Sequence, residues 1–220
     1  MLTYQSVSDE ACAFHLLKQD AIFSRIPVER QSALVCQAIE IGKRCSRKFR
    51  GANLTRFLDE DGVKIIYQPS SPITGLHAQI QYDEKIKKIE LYSPVIEQMM
   101  QISQTIVEKL TYDQVSQLFI AHEFYHWVEY SSHSLTQNKC DSVEVTYLGF
   151  IHTDRKVRMT SEIAAFQFAK EQLQLTIHPL IYDQLMKVTG QAGTSSDYWP
   201  DQWLKEYSEI LLRKDDTKHG

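Results

Sequence analysis

His122, Glu123 and His126 stand as His-Glu-x-x-His inside the apolar stretch from Leu118 to Tyr130. On a helix, which turns about 100° per residue, side chains four apart share one face, one turn above the other. His122 and His126 can then offer two imidazole nitrogens to one cation. Glu123 is rotated to the flank of that pair, where it reaches a water on the cation rather than the cation itself. Two histidines and a glutamate in so apolar a helix are costly unless something satisfies them. A bound zinc ion would do so. The competing reading makes His122 and His126 buried histidines hydrogen-bonded to backbone, with Glu123 on an exposed edge.

A catalytic zinc site needs a third protein ligand and an open position. A His-Glu-x-x-His-x-x-Gly-x-x-His site would need glycine at 129 and histidine at 132, but the chain has Glu129 and Ser132, and His133 is off by one. An Asn-Glu-x-x-Ser-Asp segment is also missing, since Glu144 lies in Asp141-Ser142-Val143-Glu144-Val145-Thr146. Glu162 fits better. It shares a helical face with Ala165 and Ala169, and small residues there let its helix come close to the His122 helix. The plain alternative is a surface glutamate in a tightly packed helix pair. Glu129 follows His126 on the same face but lies about 10 Å along the axis from His122, too far to join both histidines on one ion. Glu144, Asp154, His133 and His152 remain as rivals in the connection between the two helices.

The elements that must hold these residues are legible in outline. Thr111 and Gln114 have capping-box spacing, Asp113 adds negative charge, and neither Gly nor Pro interrupts the chain from there to Tyr130. Val115, Leu118, Phe119, Ile120, Trp127 and Val128 cover enough of the circumference to predict a largely buried helix. Upstream, Ser8 caps a helix over 8–22 and Pro27 opens another reaching about Cys45. Its basic end, Lys43 to Arg50, reads as a solvated helix terminus, with a nucleic-acid patch as the alternative. A short helix over 53–60 stops at Asp61-Gly62, 63–67 is a strand, and Pro69 to Gly75 a loop. Residues 76–82 and 87–92 alternate as an antiparallel hairpin. Then come a helix from Pro94 to about Leu110 and, after the His122 helix, a polar connection over 131–153. A helix to about Leu173 follows, then another from Pro179 to Val188. A loop over 190–196, an amphipathic helix with Trp199, Trp203 and Tyr207, and a frayed tail from Lys214 complete the chain. The expected fold is α+β: a small antiparallel sheet on a helical bundle over 51–220, with residues 1–50 as a helical extension.

Composition narrows the function classes. A net charge of −4 argues against dominant nucleic-acid or anionic-membrane binding. No apolar run approaches the ~20 residues that span a bilayer, and the first ten residues lack a signal-peptide pattern. Cys12, Cys36, Cys45 and Cys140 show no Cys-x-x-Cys spacing and read as thiols of a reducing compartment, hence a cytoplasmic protein.

Three segments, in order, resemble the ImmA/IrrE family of zinc-dependent metallopeptidases. Asn53 through Tyr67 is similar to that family's short helix and following strand. Phe119-Ile120-Ala121-His122-Glu123-x-x-His126 is similar to its Phe-x-x-Ala-His-Glu-x-x-His helix, shifted by one residue at the phenylalanine. Glu162-x-x-Ala165-x-x-Phe168-Ala169 is similar to its Glu-x-x-Ala-x-x-Phe-Ala ligand helix. The resemblance implies a zincin-like fold, zinc on His122, His126 and Glu162, and Glu123 as general base. The implied activity is endoproteolysis of a protein substrate, often a transcriptional repressor. Two departures stand out: Phe124-Tyr125 replaces the commoner Leu-Gly, and 35 residues separate His126 from Glu162. Bulk at Phe124 and Tyr125 would either narrow the site or repack the core. A non-catalytic protein-binding module on the same fold is the alternative reading. Hydrolysis also calls for an oxyanion donor, with Tyr130, Tyr147, His133, His152 and Arg155 as candidates.

Overall fold

The computed structural model of the chain describes residues 4, 7–73, 76–147, 150–189 and 199–216. The elements run α1 (Asp9–Leu17), α2 (Val28–Lys48), α3 (Leu54–Glu60), β1 (Lys64–Gln68), β2 (Ala78–Tyr82), β3 (Lys87–Tyr92), α4 (Ser93–Ser103) and α5 (Tyr112–Ser131). They continue with α6 (Thr136–Lys139), β4 (Val143–Tyr147), β5 (Ile151–Arg155), α7 (Met159–Leu173), α8 (Pro179–Thr189) and α9 (Trp199–Asp216). The architecture is α+β, with helices around one continuous apolar core and two small sheets. Among the described residues no helix is long and apolar enough to cross a membrane.

Local chemistry accounts for most boundaries. The Ser8 side chain accepts from the Ala11 N–H and caps α1, and Asn53 does the same for Arg56 at α3. The expected capping box at α5 is present in both directions: Gln114 N–H donates to the Thr111 hydroxyl, and Thr111 N–H donates to the Gln114 side chain. α1 stops at Leu17, five residues short of expectation. Asp20 turns the chain there by accepting from the Ile22 N–H, and its other oxygen takes the Met159 N–H at the start of α7. α4 also stops early, at Ser103 rather than Leu110. The Ser103 hydroxyl donates to the Met100 carbonyl and accepts from the Leu110 N–H, so a side chain closes the turn that the helix would have continued. At the other end α9 continues to Asp216, into the expected frayed tail. The expected 190–196 loop and Gly75 lie outside the described residues.

The sheet differs from expectation. Its order is β1-β3-β2, with β2 and β3 antiparallel but β1 and β3 parallel, so it is mixed rather than antiparallel. The chain reverses twice between β1 and β3, passing over the middle position to lay β2 at the far edge. β2 therefore keeps one edge unpaired within this sheet. The polar connection after α5 is also structured. It holds α6 and the hairpin β4–β5, whose Val143 and Val145 are buried. The alternation of Val143-Glu144-Val145-Thr146 carried that signal.

α1 and α2 belong to the same apolar core as the remainder of the chain. α2 meets α7 at Gly42, where a Cβ would stand 2.4 Å from the Ala164 carbonyl oxygen. Only glycine permits so close an approach. On its other side α7 packs against α5, with Ala164, Ala165 and Ala169 fully buried. The helix that carries Glu162 is thus clamped between the first long helix and the helix of the two histidines.

Candidate metal centre

α5 is buried nearly all round, as its composition predicts: Val115, Leu118, Phe119, Ile120 and Phe124 are all core residues. Its exit is anchored to the sheet by Asp61, which accepts from Trp127 Nε1 and Tyr82 Oη at 2.8 Å each and from Lys87 Nζ at 3.0 Å. The Trp127 hydrogen bond leads the influences that hold the Asp61 carboxyl below its ordinary range. Phe124 and Tyr125 point away from the histidine face. Phe124 packs on Phe49, Trp127 and Phe168, while the Tyr125 hydroxyl meets Thr136. Their bulk repacks the core and leaves the site unobstructed.

On the opposite side of α5, His122, His126 and Glu162 converge. His122 Nε2 lies 3.3 Å from Glu162 Oε2, and His126 Nε2 lies 3.4 Å from Glu162 Oε1. One ligand atom from each residue falls within 4.8 Å of the others. Ligands at about 2.0–2.1 Å in a tetrahedron around zinc are separated by about 3.3 Å, and each imidazole stands about that far from one of the two Glu162 oxygens. Two imidazoles and a carboxylate are also the donor chemistry zinc takes.

The three groups shift one another's protonation strongly. Burial alone would raise the Glu162 carboxyl, but the two imidazoles outweigh it and hold the group well below the usual carboxylate range. Burial alone would lower His126. Hydrogen bonds to Glu129 and Glu162 win instead and raise it well above the ordinary histidine value. Glu123 is 6 % exposed, and burial is the leading influence raising its carboxyl.

Glu129, unsuited as a ligand by its distance along the helix, has a different place. Its Oε2 meets His126 Nδ1 at 3.0 Å, while its Oε1 accepts from the Thr136 N–H at 2.5 Å and the Ser161 hydroxyl at 3.0 Å. It orients the ring whose other nitrogen faces Glu162, and ties α5 to the residue preceding Glu162 on α7. The i+3 spacing after His126 was the available signal. Among the described residues the buried His122 Nδ1 has no hydrogen-bond partner, and Phe166 packs edge-on to the ring at 4.4 Å.

The rivals fall elsewhere. Glu144 and His152 pair on the β4–β5 hairpin, Asp154 lies on β5, and His133 follows α5 in a left-handed conformation with φ of 50°. Among the described residues the metal-capable group is His122, His126 and Glu162. Of the oxyanion candidates, Tyr130 lines the cavity over the site and stacks on His126. His133, His152 and Arg155 do not line it, and the Tyr147 side chain is outside the described residues. The cavity measures about 340 Å³, with His122, Glu123, His126 and Glu162 in its wall. That is room for part of a peptide. Its wall also includes His77 and Asp183, which sequence reasoning passed over.

No family model matches the sequence, and no curated protein or solved structure matches the chain.

Proposed function

We propose that the chain is a zinc-dependent endopeptidase with a zincin-like domain of the ImmA/IrrE kind, cutting a peptide bond of a protein substrate. One observation carries this reading: three ligand-type side chains from two helices bring a donor atom each within 4.8 Å of the others, beside the buried Glu123. When bound, zinc would supply Lewis acidity, polarising a carbonyl and lowering the pKa of water toward about 7. His122, His126 and Glu162 hold the ion, with Glu129 fixing the His126 ring. Glu123 takes a proton from the attacking water as its oxygen bonds to the carbonyl carbon. It gives that proton to the peptide nitrogen as the C–N bond breaks. An extended substrate adds along the outer edge of β2, whose residues Ala78 to Ile80 line the cavity and whose Ile80 N–H meets Glu123, so backbone hydrogen bonds supply affinity.

By the resemblance, a transcriptional repressor is the substrate class to try first. A reducing, cytoplasmic setting suits the four unpaired cysteines. The argument for a non-catalytic binding module weakens, because Phe124 and Tyr125 do not crowd the site.

The test compares wild type with Glu123→Gln on a quenched-fluorescent peptide library, alongside zinc content by elemental analysis. The variant is expected to keep its zinc and lose hydrolysis by about 10²–10⁴-fold. Undiminished cleavage by the variant would defeat the assignment of Glu123.

A further inference from the structure

Metal-assisted hydrolysis needs a donor for the charge that grows on the carbonyl oxygen, and the donor must already be in place when that charge appears. The cavity wall contains one histidine besides the two metal-facing ones. His77 immediately precedes β2, the strand whose outer edge borders the cavity. Its ring stacks flat on Phe119, with centroids 5.5 Å apart and planes 4° off parallel. Phe119 is three residues before His122 on α5, and His77 shares the cavity wall with His122 and Glu123.

The ring is held from a second side. His77 Nε2 lies 2.9 Å from Asp183 Oδ1 on α8, both side chains being mostly buried at 18 % and 10 % exposure. The other oxygen of Asp183 takes Lys187 Nζ at 2.7 Å. Burial alone would raise the Asp183 carboxyl, but His77 and Lys187 outweigh it and hold the group ionised, below its ordinary range. Phe119 fixes the plane of the His77 ring and Asp183 fixes its direction. Nε2 is held against Asp183, which leaves Nδ1 as the ring nitrogen that can face a substrate.

Resting on the hydrolase reading above, we propose that His77 is a catalytic residue that donates Nδ1–H to the substrate carbonyl oxygen as it becomes an oxyanion, and that Asp183 is its positioning residue. No proton leaves His77 in this step. The bond strengthens only as charge develops, so its loss should fall on kcat rather than on KM.

The experiment uses the full chain loaded with zinc. Wild type, His77→Ala, His77→Gln, Asp183→Asn and Glu123→Gln are compared on the best peptide found in a quenched-fluorescent library. Zinc content and thermal unfolding are measured for each. His77→Ala is expected to lower kcat by about 10²–10³-fold with KM within about twofold. His77→Gln, which keeps an N–H donor, should recover part of the loss, and Asp183→Asn should fall between them. Binding gives a readout independent of turnover. A leucine dipeptide phosphonate, whose tetrahedral oxygens imitate the oxyanion, should bind His77→Ala about 10²-fold more weakly than wild type. The uncleaved dipeptide should bind both alike. If zinc-loaded wild type cleaves nothing in the library and binds no phosphonate, the hydrolase reading itself fails. If wild type cleaves and Glu123→Gln does not, but His77→Ala matches wild type in kcat and phosphonate affinity, the role given to His77 is overturned. A loss in His77→Ala matched by equal losses in KM and thermal stability, without rescue by glutamine, would reduce the His77–Asp183 pair to a structural clamp.

Discussion

Two histidine–carboxylate contacts in this molecule are nearly equal in length and opposite in setting. His126 Nε2 and Glu162 Oε1 are 3.4 Å apart, with side chains 9 % and 39 % exposed. His152 Nδ1 and Glu144 Oε1 are 3.1 Å apart on the β4–β5 hairpin, with side chains 58 % and 67 % exposed. The shorter contact is the weaker design. In solvent, water and salt screen the pair, and two side chains lose rotamer freedom to hold one geometry. In the cavity the same chemistry is fixed on three sides, by Glu129, by the second histidine and by the α5–α7 packing. Here two histidines of one helix and a carboxylate of another converge, one group more than an ion pair has. A metal site differs from an ion pair in that convergence, which needs two rigid elements pressed together. The hairpin joins only neighbouring strands.

The contrast is sharpest if one glutamate is removed from each place. Glu162→Ala should cost more than about 100-fold in zinc affinity, because two ligands without a third rarely hold the ion, read by competition with a chromogenic chelator. A variant that still binds one zinc with wild-type affinity would show that the convergence is not what holds the metal.

A smaller effect is expected at Glu129, which touches only the far side of the His126 ring. Glu129→Gln should weaken zinc binding by about 10–100-fold. The pH dependence carries a sign. Glu129 and Glu162 favour the imidazolium form of His126, so the metal must displace a proton, and affinity falls as pH drops. Without the Glu129 charge the ring gives up its proton more easily, so the fall in affinity should move to lower pH in Glu129→Gln. Zinc titrations between pH 5 and 8 would show it, and a shift to higher pH would contradict the role assigned to Glu129.

The least consequence belongs to the hairpin. Glu144→Gln should leave zinc content and the thermal midpoint unchanged within error, as exposed pairs contribute little. A loss of metal there would mean that the hairpin reaches the site.

What the sequence by itself determined is mostly local. The capping box of α5, the caps Ser8 and Asn53, the β2–β3 hairpin and the 3.6-residue register of His122 and His126 follow from side chains within one turn or one strand pair of each other. The choice of Glu162 was also legible, through Ala165 and Ala169, because small residues on one helical face announce close packing. The tertiary structure alone decided the rest, for reasons of distance along the chain. The parallel pairing of β1 with β3 depends on which way a loop crosses. The use of Gly42 to seat α2 against α7 depends on a partner more than a hundred residues away. The meeting of His77 with Asp183 also spans more than a hundred residues. No pattern of small residues marks these pairs as Ala165 and Ala169 mark the Glu162 helix, so they exist only once the core has closed around them.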